Sequence, residues 1–281
     1  MRRSFLFLIV VLLFPAALQA QQDPQQPRPP RKDARGLLKI NRQYYDLSAA
    51  TGGDFYFWAP GEFAAAAPID IPNGGDDVVL AYGSLEGSKS VFEIPVESGA
   101  KKLTIFCGIQ RKDLAVIVRP DDSPLRHDDP GVKIQSLQHM TIAAIDSPAP
   151  GIWSLELTGF GAYSISGKLG AGSDAPSLDS FEFVEPGGRP GHEGLFPIKR
   201  APKQGEILTA RADLSGSVSK LEFLFVASDG SQLGRCPLAA HEGEWLGNCT
   251  APKLPFRVVV TGLDTAGRRF RRIESGMITP E

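Results

Sequence analysis

The sequence predicts a mainly β protein: two consecutive antiparallel β-sandwiches behind a short α/β lead-in. Three observations predict it. Short apolar runs, many alternating with polar positions, recur from about residue 76 onward, while long amphipathic helical patterns are scarce. The 30 Gly and 23 Pro punctuate these runs with turn signals. With 281 residues, 42% hydrophobic and 22% charged, the chain can bury one large core or two small ones.

The N-terminus reads as a secretory signal over residues 1–20. Met1-Arg2-Arg3 supplies the positive start, "FLFLIVVLLF" the apolar run, and "ALQA" a small-residue cleavage site before Gln21. The apolar run is short for a membrane span, so no integral span is expected after cleavage. No Cys follows it, which disfavours a lipid anchor. Residues 21–35, "QQDPQQPRPPRKDAR", hold too little apolar surface to fold and read as a disordered linker. The chain is therefore expected to be secreted or periplasmic. A net charge of −2 gives no basic excess for nucleic acid, which is not expected as a partner.

Residues 36–75 form the lead-in. Leu37, Leu38, Ile40, Tyr44, Tyr45 and Leu47 recur at roughly helical spacing, Thr51-Gly52-Gly53 stops the helix, and "FYFW" reads as a short buried strand. One helix and one strand cannot bury a core alone, so this segment must pack on the next domain or on another partner.

Residues 76–170 carry the first sandwich. Strands are predicted at "SVFEIPV", "KLTIFCGI", "LAVIVRP", "VKIQSL", "MTIAAID", "IWSLELTG" and "AYSISGKL", a spacing that suits a sandwich or jelly roll. The last two form a hairpin in which Gly159 and Gly161 permit a tight reversal. Trp153, Leu155 and Leu157 share one face of it and Tyr163 and Ile165 another, so the Pro-Gly-Trp element is structural and Trp153 belongs to the core.

A joint at 170–177, "GAGSDAPS", leads to residues 178–276. About seven short strands there, with turns at "SDGSQL" and "LDTAGRRF", fit an immunoglobulin-like sandwich. Cys236 and Cys249 bracket a short segment and, in an oxidising compartment, are expected to form a local disulfide between neighbouring strands rather than an inter-sheet bridge. Cys107 alternates with Leu103 and Ile105 and reads as a buried thiol. Zinc is disfavoured, because no Cys-x-x-Cys occurs and the four His lie scattered at 127, 139, 192 and 241.

Chemistry-bearing clusters are few. "RPDDSPLRHDDPG" gathers Asp121, Asp122, His127, Asp128 and Asp129, candidates for a ligand or hard-cation site; a solvated hairpin is the commoner outcome for such a loop. His192-Glu193 and His241-Glu242 lack the second His of a zinc-protease motif. No Gly-x-Ser-x-Gly elbow occurs, and the glycines of "GFGAYSISG" precede no helix that could cradle a nucleotide. "RRFRR" at 268–272 alternates on a strand, giving a solvated edge or a contact for an anionic polymer. "NCT" at 248–250 matches a glycosylation sequon, meaningful in a eukaryotic secretory pathway. No catalytic residue, metal or cofactor is expected, and the chain is read as no enzyme.

The order of these pieces resembles the region after the von Willebrand factor A domain in hemicentin-like extracellular proteins. "DLSAATGGDFYFW" is similar to that domain's closing helix, turn and strand. "AIDSPAPGIWSLELTGFGAYSISGKL" is similar to the closing motif of the galactose-binding-like sandwich, and "APKLPFRVVVTGLDTAGRRFRR" to the closing strands of the Ig-like one. The resemblance implies a galactose-binding-like jelly roll and then an Ig-like module. It also implies a non-enzymatic, adhesion-type role contacting an extracellular or envelope protein or glycan. The Asp-x-Ser-x-Ser of the metal-dependent adhesion site is absent, so metal-dependent adhesion is not implied; a fold name does not establish a sugar ligand. The alternative is a carbohydrate-recognition or accessory module working with a separate enzyme.

Overall fold

The computed structural model describes residues 37, 40, 43–51, 53, 55–56, 61–62, 75–170, 172, 175–274 and 276–281. The signal segment and linker expected over 1–35 lie outside them. Among the described residues the protein is mainly β with antiparallel sheets, as the sequence predicts. Six strands form the first unit: β1 (Asp76–Glu86), β2 (Ser90–Val96), β3 (Lys102–Val118), β4 (Val132–Ser136), β5 (Met140–Asp146) and β6 (Gly151–Gly170). They pair in the order β1-β6-β3-β5-β4, with β2 also on β6.

One expected hairpin and one expected break between strands are absent from this unit. "KLTIFCGI" and "LAVIVRP" run on as the single 17-residue β3, and "IWSLELTG" and "AYSISGKL" as the 20-residue β6. Gly159 and Gly161 do not reverse the chain. They lie where β6 meets two register shifts in β3, between Ile109 and Arg111 and between Lys112 and Leu114. Such irregularities bend a strand. A Cβ on Gly159 would run into the Arg111 carbonyl oxygen, so the close approach itself requires glycine. The sheet thereby curves over one core. Trp153, Leu155 and Leu157 from before the bend join Tyr163 and Ile165 from after it in the same cluster. Trp153 is 1% exposed, and its Nε1 donates to the Ala149 carbonyl at 2.8 Å.

Lys112, at the bend, reaches into the β4–β5 turn. Its Nζ donates to the carbonyls of Leu137 (2.5 Å) and Met140 (3.2 Å) and to Thr141 Oγ1 (3.0 Å), and burial lowers its pKa. Cys107 is a free, buried thiol whose pKa burial pushes up to about 12.

The lead-in lies on the outer side of this sheet. Helix α1 (Gln43–Ala50) buries Tyr45, Ser48 and Ala49, while Tyr44 and Leu47, expected to face inward, are exposed. The Tyr45 ring stacks on Tyr82 of β1 at 3.7 Å, and Tyr56 packs on Phe106 at 5.0 Å. Phe55 and Tyr56 are not in a strand, which corrects that expectation for the first half of "FYFW"; Phe57 and Trp58 lie outside the described residues.

The second unit has nine strands where about seven were expected: β7 (Ser177–Gly187), β8 (Gly194–Pro197), β9 (Ile207–Ser215), β10 (Ser219–Val226), β11 (Gln232–Cys236), β12 (Ala239–His241), β13 (Glu244–Thr250), β14 (Arg257–Leu263) and β15 (Arg269–Ile273). Two sheets, β11-β10-β14-β15 and β12-β13-β9-β7-β8, face each other. Phe223, Phe225, Val258 and Val260 of the first meet Phe183, Leu208 and Ala210 of the second in one core. Cys236 and Cys249 form the disulfide. It joins β11 in one sheet to β13 in the other, so it is an inter-sheet bridge and not the local link expected. The chain changes sheets between them, because β12 already pairs with β13.

Candidate functional site

The two units meet along β1, β2 and β15, and a buried arginine holds the joint. Arg272 alternates with Phe270 and so points to the inner side of its strand, where it ion-pairs with Glu97 of the first unit and, through Nε at 2.8 Å, with Asp76 Oδ2. Glu97 and Arg272 are both buried. This corrects the solvated-edge expectation of "RRFRR" for Arg272, while Arg268 and Arg269 are exposed as expected. Burial raises the Asp76 pKa, and the Arg272 charge opposes that shift.

Three further bonds fix the geometry. The Ser98 N–H donates to Asp264 Oδ2 at 3.0 Å, the Tyr82 N–H to the Ser228 carbonyl at 2.6 Å, and the Met277 N–H to the Ala49 carbonyl at 3.0 Å. Burial works to raise the Asp264 pKa, but the N–H donors of Ser98, Arg268 and Ala266 outweigh it and hold the carboxyl below its ordinary range.

Beside this joint the units leave a cleft of about 580 Å³. Its floor is the outer face of the β11-β10-β14-β15 sheet. Phe223, Phe225, Val258 and Val260 point into the core, so the alternate residues Leu224, Val226, Val259 and Thr261 point into the cleft. Its wall is Leu80 of β1 with Val91, Phe92 and Glu93 of β2. Phe92 packs edge-on against Tyr163 at 5.5 Å. Burial, then the Asp229 charge, pushes the Tyr163 pKa up to about 12.

The rim is the turn the sequence marks as "SDGSQL". Asp229 accepts from the Ser231 N–H (2.9 Å) and Oγ (2.6 Å), which lower its pKa and shape the turn. From the opposite side, Arg271 Nη1 donates to the Glu93 carbonyl at 2.9 Å. The described lining holds no His, Lys or Cys; its charged side chains are Glu93, Asp229 and Arg271. The cleft can sort a ligand by shape, apolar contact and hydrogen bonds. Volume and position suit a binding site, since such sites span about 300–1,000 Å³ and favour joints between units.

The acidic loop singled out in the sequence lies elsewhere, between β3 and β4, and none of its five candidates lines the cleft. Asp121 accepts from Ser123 Oγ (2.6 Å) and N (3.0 Å), and Asp129 from the Arg126 N–H (2.7 Å) and the Arg119 guanidinium; these donors lower both pKa values. Asp122, His127 and Asp128 are exposed. Among the described residues, no three His, Cys, Asp or Glu side chains come together as a metal-binding group. Glu193 accepts from the Gly191 N–H within its own loop, and His241-Glu242 forms the β12–β13 turn. No helix of the described residues is long and apolar enough to cross a membrane.

Sequence reasoning missed β1, the wall residues of β2 as a site, and the cleft itself. The signal that could have found part of it was Pro95, which marks β2 as an edge strand.

No protein-family model matches the chain, and no curated protein matches it. Among solved structures, the propeptide form of lipase BlEst2 from Bacillus licheniformis is similar over 75% of this chain, at 14% identity and a TM-score of 0.29. The matched region spans about half, 48%, of that chain.

Proposed function

We propose that this chain is an exported, non-enzymatic binding protein of adhesion type, akin to the region after the A domain in hemicentin-like proteins. Its partner is an extracellular or envelope protein or glycan. The observation that carries the reading is the cleft shared by both units, beside a joint of buried contacts and floored by aliphatic side chains. The inter-sheet disulfide is compatible with an extracellular or periplasmic site of action. A glycan array beside a pull-down from envelope extracts tests it, each run with the wild type and with Thr261→Trp, which fills the cleft floor. A partner retained by the wild type and released by the variant is the expected result. Equal retention by both, or turnover of a bound substrate, overturns the reading.

A further inference from the structure

The geometry points to an extended polypeptide segment as the ligand of this cleft, bound by adding a strand to the free edge of β2. This rests on the binding reading above and names its partner class.

Strand β2 pairs with β6 on one side, and among the described residues no strand pairs with its other side. Two observations show which backbone groups face outward. The Glu93 carbonyl points away from β6, since Arg271 of the other unit reaches it. Pro95, which has no N–H to donate, lies at the same parity, as expected for the solvent side of an edge. Val91 shares that parity and is 54% exposed. So the Val91 N–H and C=O and the Glu93 N–H open toward the cleft, where both residues stand. An extended chain of about four residues, one strand rise each, would run along Ser90–Glu93 and take these groups as a ladder.

The side chains choose a polypeptide over a sugar. Saccharide sites use open aromatic plates, but here Tyr163 is buried and Phe92 packs against it and the core. The floor is aliphatic instead: Leu224, Val226, Val259 and Ile273 would meet every second side chain of a bound strand, as the opposite face of a sheet does. The exposed carboxylates of Glu93 and Asp229 flank the cleft, while Arg271 is bonded to the Glu93 carbonyl. Glu93 also lies 3.9 Å from Arg269, so acidic and basic groups roughly balance here, and the open ladder groups and apolar floor carry the preference.

The test is selection of a random peptide library on the full chain, with Thr261→Trp as the counter-selected surface and far-ultraviolet circular dichroism confirming that each variant folds. Enriched peptides should carry apolar residues at every second position. A synthetic copy should bind about tenfold more weakly when its backbone is N-methylated at alternate residues, and likewise to Val91→Pro, each change removing ladder bonds. Unchanged affinity on methylation, or equal binding to Thr261→Trp, overturns strand addition. No peptide enrichment, with glycan binding that Thr261→Trp abolishes, overturns this inference and leaves the binding reading standing. Absence of both peptide and glycan binding overturns the inference, and the envelope pull-down then decides the binding reading separately.

Discussion

The two units close their cores by opposite means. In the first, β3 and β6 run unbroken through a bend, so the same strands serve both sides of the core, and register shifts with Gly159 and Gly161 make the corner. In the second, no strand serves both sheets; the chain crosses between them, and Cys236–Cys249 ties the layers covalently. A continuous strand carries its hydrogen bonds around the corner and demands close backbone approach there. Separate sheets relax that demand, and a cross-link then limits how far they can part.

Breaking each device separately tests the contrast. Trp153→Ala has the largest effect, because its ring is buried in the core of the first unit: a loss of about 3–5 kcal/mol from a domain whose whole stability is about 5–15 kcal/mol. Urea unfolding measures it. An unchanged midpoint with lost ligand binding would instead make Trp153 part of a site. Replacing both Cys236 and Cys249 by Ala comes next, at about 3 kcal/mol. Cys107 is then the sole thiol and should stay unreactive to a thiol reagent in the folded variant, since the curved sheet does not depend on the bridge. Rapid labelling of Cys107 would show that the two closures are coupled.

Gly159→Ala attacks the corner alone. The added methyl meets the Arg111 carbonyl, and the expected cost is about 1–3 kcal/mol, read as a lowered melting temperature. A Gly267→Ala control, whose Cβ meets nothing within 4 Å, separates the steric clash from general loss of glycine, although its positive φ adds some strain. The smallest effect concerns the joint. The folded-state pKa of Asp264 is depressed, so its contribution is present above the ordinary aspartate pKa of about 3.9 and is lost as pH falls through the lower folded value. Asp264→Asn should therefore be less acid-sensitive than the wild type below about pH 4. An identical acid profile would remove Asp264 from the joint's energetics.

What the sequence disclosed was local. The short runs "SVFEIPV" and "MTIAAID", set between turn signals, match β2 and β5. Cys236 and Cys249 paired as expected, though spacing alone could not say which sheet each would join. Gly159 and Gly161 were misread because glycine permits both a reversal and a close pass; the register of β3, more than forty residues earlier in the sequence, decides between them. Arg272 looked solvated because its partner Glu97 lies 175 residues away. The acidic loop drew attention for the converse reason: its carboxylates are neighbours in sequence, and they bond within their own turn. The cleft joins β1 and β2 to strands more than 120 residues later, so no local pattern could announce it.

The strand order of the first unit also sets a timetable. β6 is the last of its six strands in sequence, yet β1, β2 and β3 all pair with it: Asp76 faces Leu169, and Ser90 faces Leu157. While synthesis proceeds from the N-terminus, β1 and β2 wait for a partner that is not yet made. Early pairing is limited to the β3–β5 and β4–β5 ladders. A nascent chain of this kind leaves the first unit open until the twenty residues of β6 have been made. Chains arrested at Pro150 should be cut readily by protease and those arrested beyond Gly170 should resist; equal resistance would mean that closure begins earlier.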